Sequence, residues 1–138
     1  MKTNSKIVVG ASTAGVSTLT ASFDTLGFSF AKILVLSAST GAMATGTANK
    51  IEEGDTTSSF ATFAGVVSGT DWTPSTATNS TTLAKMQYNI DLRGRKRYLK
   101  VTMEHATTAA GSIVADLSLP SDGISDSAAA GAANSVGI

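Results

Sequence analysis

The sequence predicts an all-β chain, an antiparallel β-sandwich or jelly-roll of about eight short strands with extended small-residue termini. Apolar and polar side chains alternate with a period of two along several stretches, the pattern of strands with one buried face. Ser, Thr, Ala and Gly are abundant, and charged residues make up only 14% of the 138 positions. Such a composition is too apolar for a disordered chain and suits strands joined by small-residue turns. No stretch carries a sustained apolar stripe at helical spacing between capping residues.

Taken in order, Ile7 to Val9 add a weak strand over 6–10. In "STLTASFD" Leu19, Ala21 and Phe23 share one face, with Thr18, Thr20, Ser22 and Asp24 on the other. "FAKILVLSA" (30–38) is apolar on both faces apart from Lys32, as expected of a central strand covered on both sides. Weaker strands fall at 47–53 and 60–67. "LAKMQYNIDL" gives the longest alternation, with Ala84, Met86, Tyr88, Ile90 and Leu92 on one face. "RYLKVTME" aligns Leu99, Val101 and Met103, and "SIVADLSL" aligns Ile113, Ala115, Leu117 and Leu119. "STGAMATGTAN" and "GTDWTPSTATNSTT" read as loops, the first with room for a short helix.

This partitions the chain into an N-terminal extension or edge strand (1–16), a sandwich domain (17–120) and a C-terminal tail (121–138). Before Val136 the tail has almost no large apolar residue, so alone it cannot offset its ordering entropy. It is expected to be flexible or ordered on a neighbouring subunit. The short apolar run near the N-terminus is too brief for a signal peptide or a membrane span, which predicts a chain made and used without export.

The distribution of charge is uneven. Arg93, Arg95, Lys96, Arg97 and Lys100 hold five of the ten basic residues of a chain whose net charge is zero. "RGRKR" lies between two of the best strands, and Gly94 supplies the positive φ that a tight hairpin turn demands. Residues 83–104 therefore read as a hairpin with the basic cluster at its tip.

Several chemistries are excluded. The absence of cysteine removes thiol catalysis, disulfides and cysteine-bound zinc, and a single histidine removes a multi-histidine metal site. His105 reads as a solvated strand-end residue beside Glu104. Glu52, Glu53 and Asp55 lack the spacing of a calcium loop and read as an acidic turn. The glycines of "GASTAG" and "STGAMATG" lack the strand–loop–helix setting of a phosphate loop. No enzyme activity and no cofactor are expected. Trp72, the sole tryptophan, lies in a polar loop, where it either folds back onto the core or serves as an exposed anchor.

Two motifs give the chain a resemblance. "FDTLGF" contains an Asp-Thr-x-Gly-Phe turn at Asp24, Thr25, Gly27 and Phe28. "DLRGRKRYLKV" matches a second pattern at Asp91, Arg93, Gly94, Lys96, Arg97, Tyr98 and Val101. Together with the acidic segment and "SSFATFAG" between them, they resemble small virion proteins encoded in tailed-bacteriophage head modules, over roughly residues 17–120. The resemblance implies a capsid decoration or cement protein: a β-sandwich or jelly-roll homo-oligomer on the capsid surface, with the major capsid protein as partner and no membrane. Arg93, Gly94, Arg95, Lys96, Arg97, Tyr98 and Trp72 are the expected interface residues, since Arg and aromatic side chains carry much of the energy of protein interfaces.

Two rival functions compete. A small coat protein would form the shell and touch the genome through Arg93, Arg95, Lys96 and Arg97. Against it stand the flanking acids Asp91 and Glu104 and the lack of aromatic interleaving beyond Tyr98. A carbohydrate-binding sandwich would use Trp72 as a stacking platform.

Overall fold

A computed structural model describes residues 5–38, 44, 47–62, 70–71, 84–119 and 134–137. It contains seven strands: β1 (Ser5–Asp24), β2 (Phe30–Ser37), β3 (Lys50–Gly54), β4 (Ala61–Thr62), β5 (Ala84–Asp91), β6 (Tyr98–Ser118) and β7 (Asn134–Gly137). They form one sheet in the order β4-β3-β6-β2-β5-β7, with β1 on the other edge of β6. Every pairing is antiparallel except β5 with β7. The all-β expectation holds, with the sheet curled into a half-barrel.

The curl comes from the two longest strands. The first half of β6 lies between the second half of β1 and β3, while its second half lies between the first half of β1 and β2. Between these halves the register slips: Thr13 pairs with Gly111, Val16 with Ala109 and Thr18 with Glu104. β6 therefore carries extra residues against β1 at this point, and such bulges bend a strand pair. Gly15, at φ 73°, lies in the same bend.

Both strands fold back, and two glycines let the layers touch. A Cβ at Gly10 would lie 2.5 Å from Phe23 Cζ and 2.6 Å from the Cβ of Ala21, both in the opposite half of β1. A Cβ at Gly111 would strike Met103. Two facing walls thus arise from one continuous sheet. The separate strands expected at 6–10 and 17–24 are one strand, β1, as are those expected at 97–104 and 112–119, β6. The boundary placed at residue 16 falls inside β1, at the bend.

The alternating residues fill the space between the walls. Leu19, Ala21 and Phe23 meet Ile33, Val35, Ile51, Met86, Tyr88 and Ile90, and both halves of β6 contribute through Leu99, Val101, Met103, Ile113, Ala115 and Leu117. Burying a side chain of this class stabilises the fold by roughly 1.5–3 kcal/mol relative to leaving it exposed.

The 83–104 hairpin is corrected. β5 and β6 do not pair, because β2 lies between them. The turn itself is present: Gly94 has φ 80°, and the Arg95 N–H donates to Leu92 O at 3.0 Å. It connects one wall of the half-barrel to the other instead of joining neighbouring strands. Of the tail, residues 134–137 add to the edge of β5 in the same chain, Met86 opposite Asn134 and Asn89 opposite Gly137.

Candidate functional site

The fold-back brings three connections to one end of the half-barrel, opposite the bend. They are the β1–β2 turn (25–29), the β5–β6 connection (92–97) and the segment that follows β3. In the first, Phe28 N–H donates to Thr25 O at 3.1 Å, with Gly27 at φ 88° in the third position of the turn. That position demands a left-handed residue, and glycine adopts it without strain.

The first two connections are bonded to each other. Arg97 O accepts from the Thr25 backbone N–H at 2.9 Å and from the Thr25 hydroxyl at 2.7 Å. The Arg97 guanidinium grips Asp24 with two bonds, Nε to Oδ1 at 2.9 Å and Nη2 to Oδ2 at 2.6 Å. Asp24 Oδ1 also accepts from the Leu26 N–H at 3.1 Å. On the other side, Leu92 N–H donates to Ser29 O at 2.9 Å, and Ser29 N–H donates to Ser118 O at 3.2 Å. The two motifs behind the family resemblance are therefore a single hydrogen-bonded bracket.

The end of β3, with Glu52 and Glu53, and Asp55 just after it supply the acids. Lys96 Nζ lies 3.1 Å from Asp55 Oδ2, and the Lys96 backbone N–H donates to Glu53 Oε2 at 3.2 Å. Arg95 lies 3.9 Å from Glu53. Glu52 takes Lys100 at 2.6 Å and Lys50 at 3.5 Å. Arg93 pairs with Asp91, Nε to Oδ1 at 2.9 Å. The Arg97 guanidinium also stacks 4.9 Å over Tyr98, and Lys100 Nζ sits 4.8 Å over Phe60.

This arrangement explains the charge cluster. Lys50, Arg93, Arg95, Lys96, Arg97 and Lys100 face Asp24, Glu52, Glu53, Asp55 and Asp91 of the same chain. The bond from Arg97, aided by the Leu26 N–H, lowers the pKa of Asp24 to about 2. Arg93 does the same for Asp91, again to about 2. Burial works to raise Glu52, but Lys100 and Lys50 outweigh it and leave its pKa below the ordinary value. These carboxylates stay ionised across the neutral range.

Of the residues named from the sequence, Arg93, Gly94, Arg95, Lys96, Arg97 and Tyr98 converge on this end. Trp72 lies outside the described residues. The acidic turn expected at Glu52, Glu53 and Asp55 is corrected: Glu52 and Glu53 lie in strand β3, with Asp55 just after it, and the three acids are partners of the basic cluster. His105 is corrected: it is buried at the bend within β6, its Nδ1 bonded to Val16 O at 3.1 Å. Among the described residues, no group of three or more His, Asp or Glu is placed to hold a metal ion.

Sequence reasoning missed Leu26, the variable position of "DTLGF". It sits at the tip of the first turn with 67% of its surface exposed. Its signal was available, because a large apolar residue in a four-residue turn has no neighbour on its own strand to cover it.

No protein-family model matches the chain, and no curated protein matches it. Among solved structures the chain is similar to dimeric latent PorU from Porphyromonas gingivalis, at 11% identity and a TM-score of 0.35. The match takes in 86% of this chain and only 13% of the length of that one. A likeness this slight carries no argument about function.

Proposed function

We propose that this protein is a non-enzymatic virion structural protein of the decoration, or cement, type. In this reading it seats on the major capsid protein through the charged end of its half-barrel and assembles there with further copies of itself. One observation supports this above the others: the turn at Asp24–Phe28 and the segment Asp91–Tyr98 form one rigid bracket. A cement protein needs a surface held in place before it binds, since ordering loops on contact weakens association.

The charge pairing also weighs against the genome-binding alternative. Phosphates would have to compete with carboxylates already bonded to the same basic groups.

The test is to add purified protein to capsid shells assembled without it and to measure what co-sediments. Saturable binding at a fixed ratio to the shell protein is the expected result. No binding at any protein concentration or salt would overturn the reading.

A further inference from the structure

We propose that Lys32 and Asn89 join their side chains in an isopeptide bond, a self-made cross-link between β2 and β5, with Asp116 carrying the protons. The proposal goes beyond the decoration reading and rests on different residues.

The three residues lie in one row across the wall formed by β5, β2 and the second half of β6. Lys32 is opposite Asn89 of β5 on one side and opposite Asp116 of β6 on the other. Their chain neighbours Ala31, Ile33, Tyr88, Ile90, Ala115 and Leu117 point into the core, so the three polar side chains share the outer face. Directly opposite residues hold their Cβ atoms about 4.5–5.5 Å apart. The flexible lysine stem spans that gap to either side. Lys32 is the single charged residue of β2 and is half-buried there. Among the described residues it forms no ion pair, so its amine is engaged by neither neighbour.

The acceptor and the proton carrier are both prepared. Asn89 is only 3% exposed, beside Gln87 at 1%. Gln87 Nε2 donates to Asn89 Oδ1 at 2.8 Å. A donor on that oxygen polarises the amide and stabilises the negative charge that an attack on Cγ would place there. Asp116 Oδ1 is buried without a hydrogen-bond partner, whereas buried acceptors in folded proteins are nearly always satisfied. A proton in transit would give it one. Asn89, not Asp116, is the group attacked, because its carbonyl is the one that carries a polarising bond.

The step balances without any outside reagent. Asp116 takes a proton from the Lys32 ammonium, and Nζ then attacks Asn89 Cγ, pushing the carbonyl electrons onto Oδ1. Asp116 gives its proton to Nδ2, the carbonyl re-forms, the Cγ–Nδ2 bond breaks and ammonia leaves. Asp116 then takes the surplus proton from Nζ and passes it to the ammonia. Adjacent strands hold the two reacting groups together, which replaces a bimolecular encounter. Burial of Asn89 keeps water from competing for Cγ. The reaction happens once per chain and turns over no substrate.

The experiment is intact-mass measurement and peptide mapping of the folded full-length protein. Wild type is expected to be lighter than its sequence by one molecule of ammonia, with a branched peptide joining Lys32 to Asn89. Lys32→Arg and Asn89→Ala are expected to show their full sequence masses and to melt at lower temperature, having lost a cross-link. Asp116→Asn is expected to remain largely unlinked. Wild type at its full sequence mass overturns the proposal whatever the variants do. So does an ammonia loss that maps to other residues, or a Lys32–Asp116 link formed with loss of water. Undiminished linkage in Asp116→Asn overturns the role given to Asp116. Shell binding plays no part in these readouts, so this proposal and the decoration reading fail separately.

Discussion

Asn49 lies just before β3 and is fully buried, yet it is a polar amide. Its Nδ2 donates to Ala44 O at 2.8 Å, and its Oδ1 accepts from the Glu104 N–H at 2.8 Å. Glu104 O in turn accepts from the Ala44 N–H at 2.8 Å. One side chain thus joins the approach to β3 to the point where β6 enters its bend. Replacing it with Ala removes the partners of two backbone groups in a buried place. Asn49→Ala is expected to cost about 2–3 kcal/mol, since unsatisfied buried groups bear their full desolvation penalty. A drop in the urea midpoint at unchanged slope would show it; no drop would mean that water takes over both bonds. His105 acts similarly at the bend, where its ring holds Val16 O near the slipped register.

For individual elements the charged bracket makes the clearest demand. Asp24 and Asp91 have folded pKa values near 2, below the ordinary 3.8. A depressed carboxylate stabilises the fold fully above its unfolded pKa and loses that contribution as pH falls through its folded one. The melting temperature is therefore expected to be level from pH 7 to pH 5 and to fall between about pH 4 and pH 2. Arg97→Gln returns Asp24 toward its ordinary value, so its melting curve should be shallower over that window. Both groups are exposed, and the effect is correspondingly modest. A wild-type profile no steeper than that of the variant would mean that the clamp contributes nothing to folding.

These elements also show what was legible in the sequence. Leu19, Ala21 and Phe23, or Met86, Tyr88 and Ile90, announce strands because a buried face repeats every second residue. The pairing of those strands was not legible. A glycine turn after a good strand predicts a hairpin, but here β2 is placed beside β5 and leaves the turn to cross between walls. The partners of the basic cluster were equally hidden, with Glu53 lying 43 positions from Lys96 and Asp24 lying 73 from Arg97.

Across the whole molecule, the half-barrel has an edge to protect. Among the described residues β1 pairs only with β6, so its other side offers a long row of backbone groups. Free edges invite pairing with other chains unless bulges or inward charges blunt them. β1 has bulges, at the register shifts Val9/Ala11, Thr13/Val16 and Val16/Thr18, and its exposed Lys6, opposite Leu117, adds an edge charge that acts in the same way. Lys6→Val is expected to cause concentration-dependent association, measured by light scattering. Monodisperse behaviour equal to wild type would show that the bulges suffice.

By itself the sequence determined the β class, the faces that are buried, the two glycine turns and the concentration of basic charge. All of these follow from neighbours within a few residues, where backbone geometry and burial act directly. Only the tertiary structure decided that β1 and β6 fold in half, that the two motifs share one bracket, and that the basic residues meet acids of their own chain. Those outcomes depend on contacts between distant segments, and packing of the inner faces selects among pairings that local preferences leave equal.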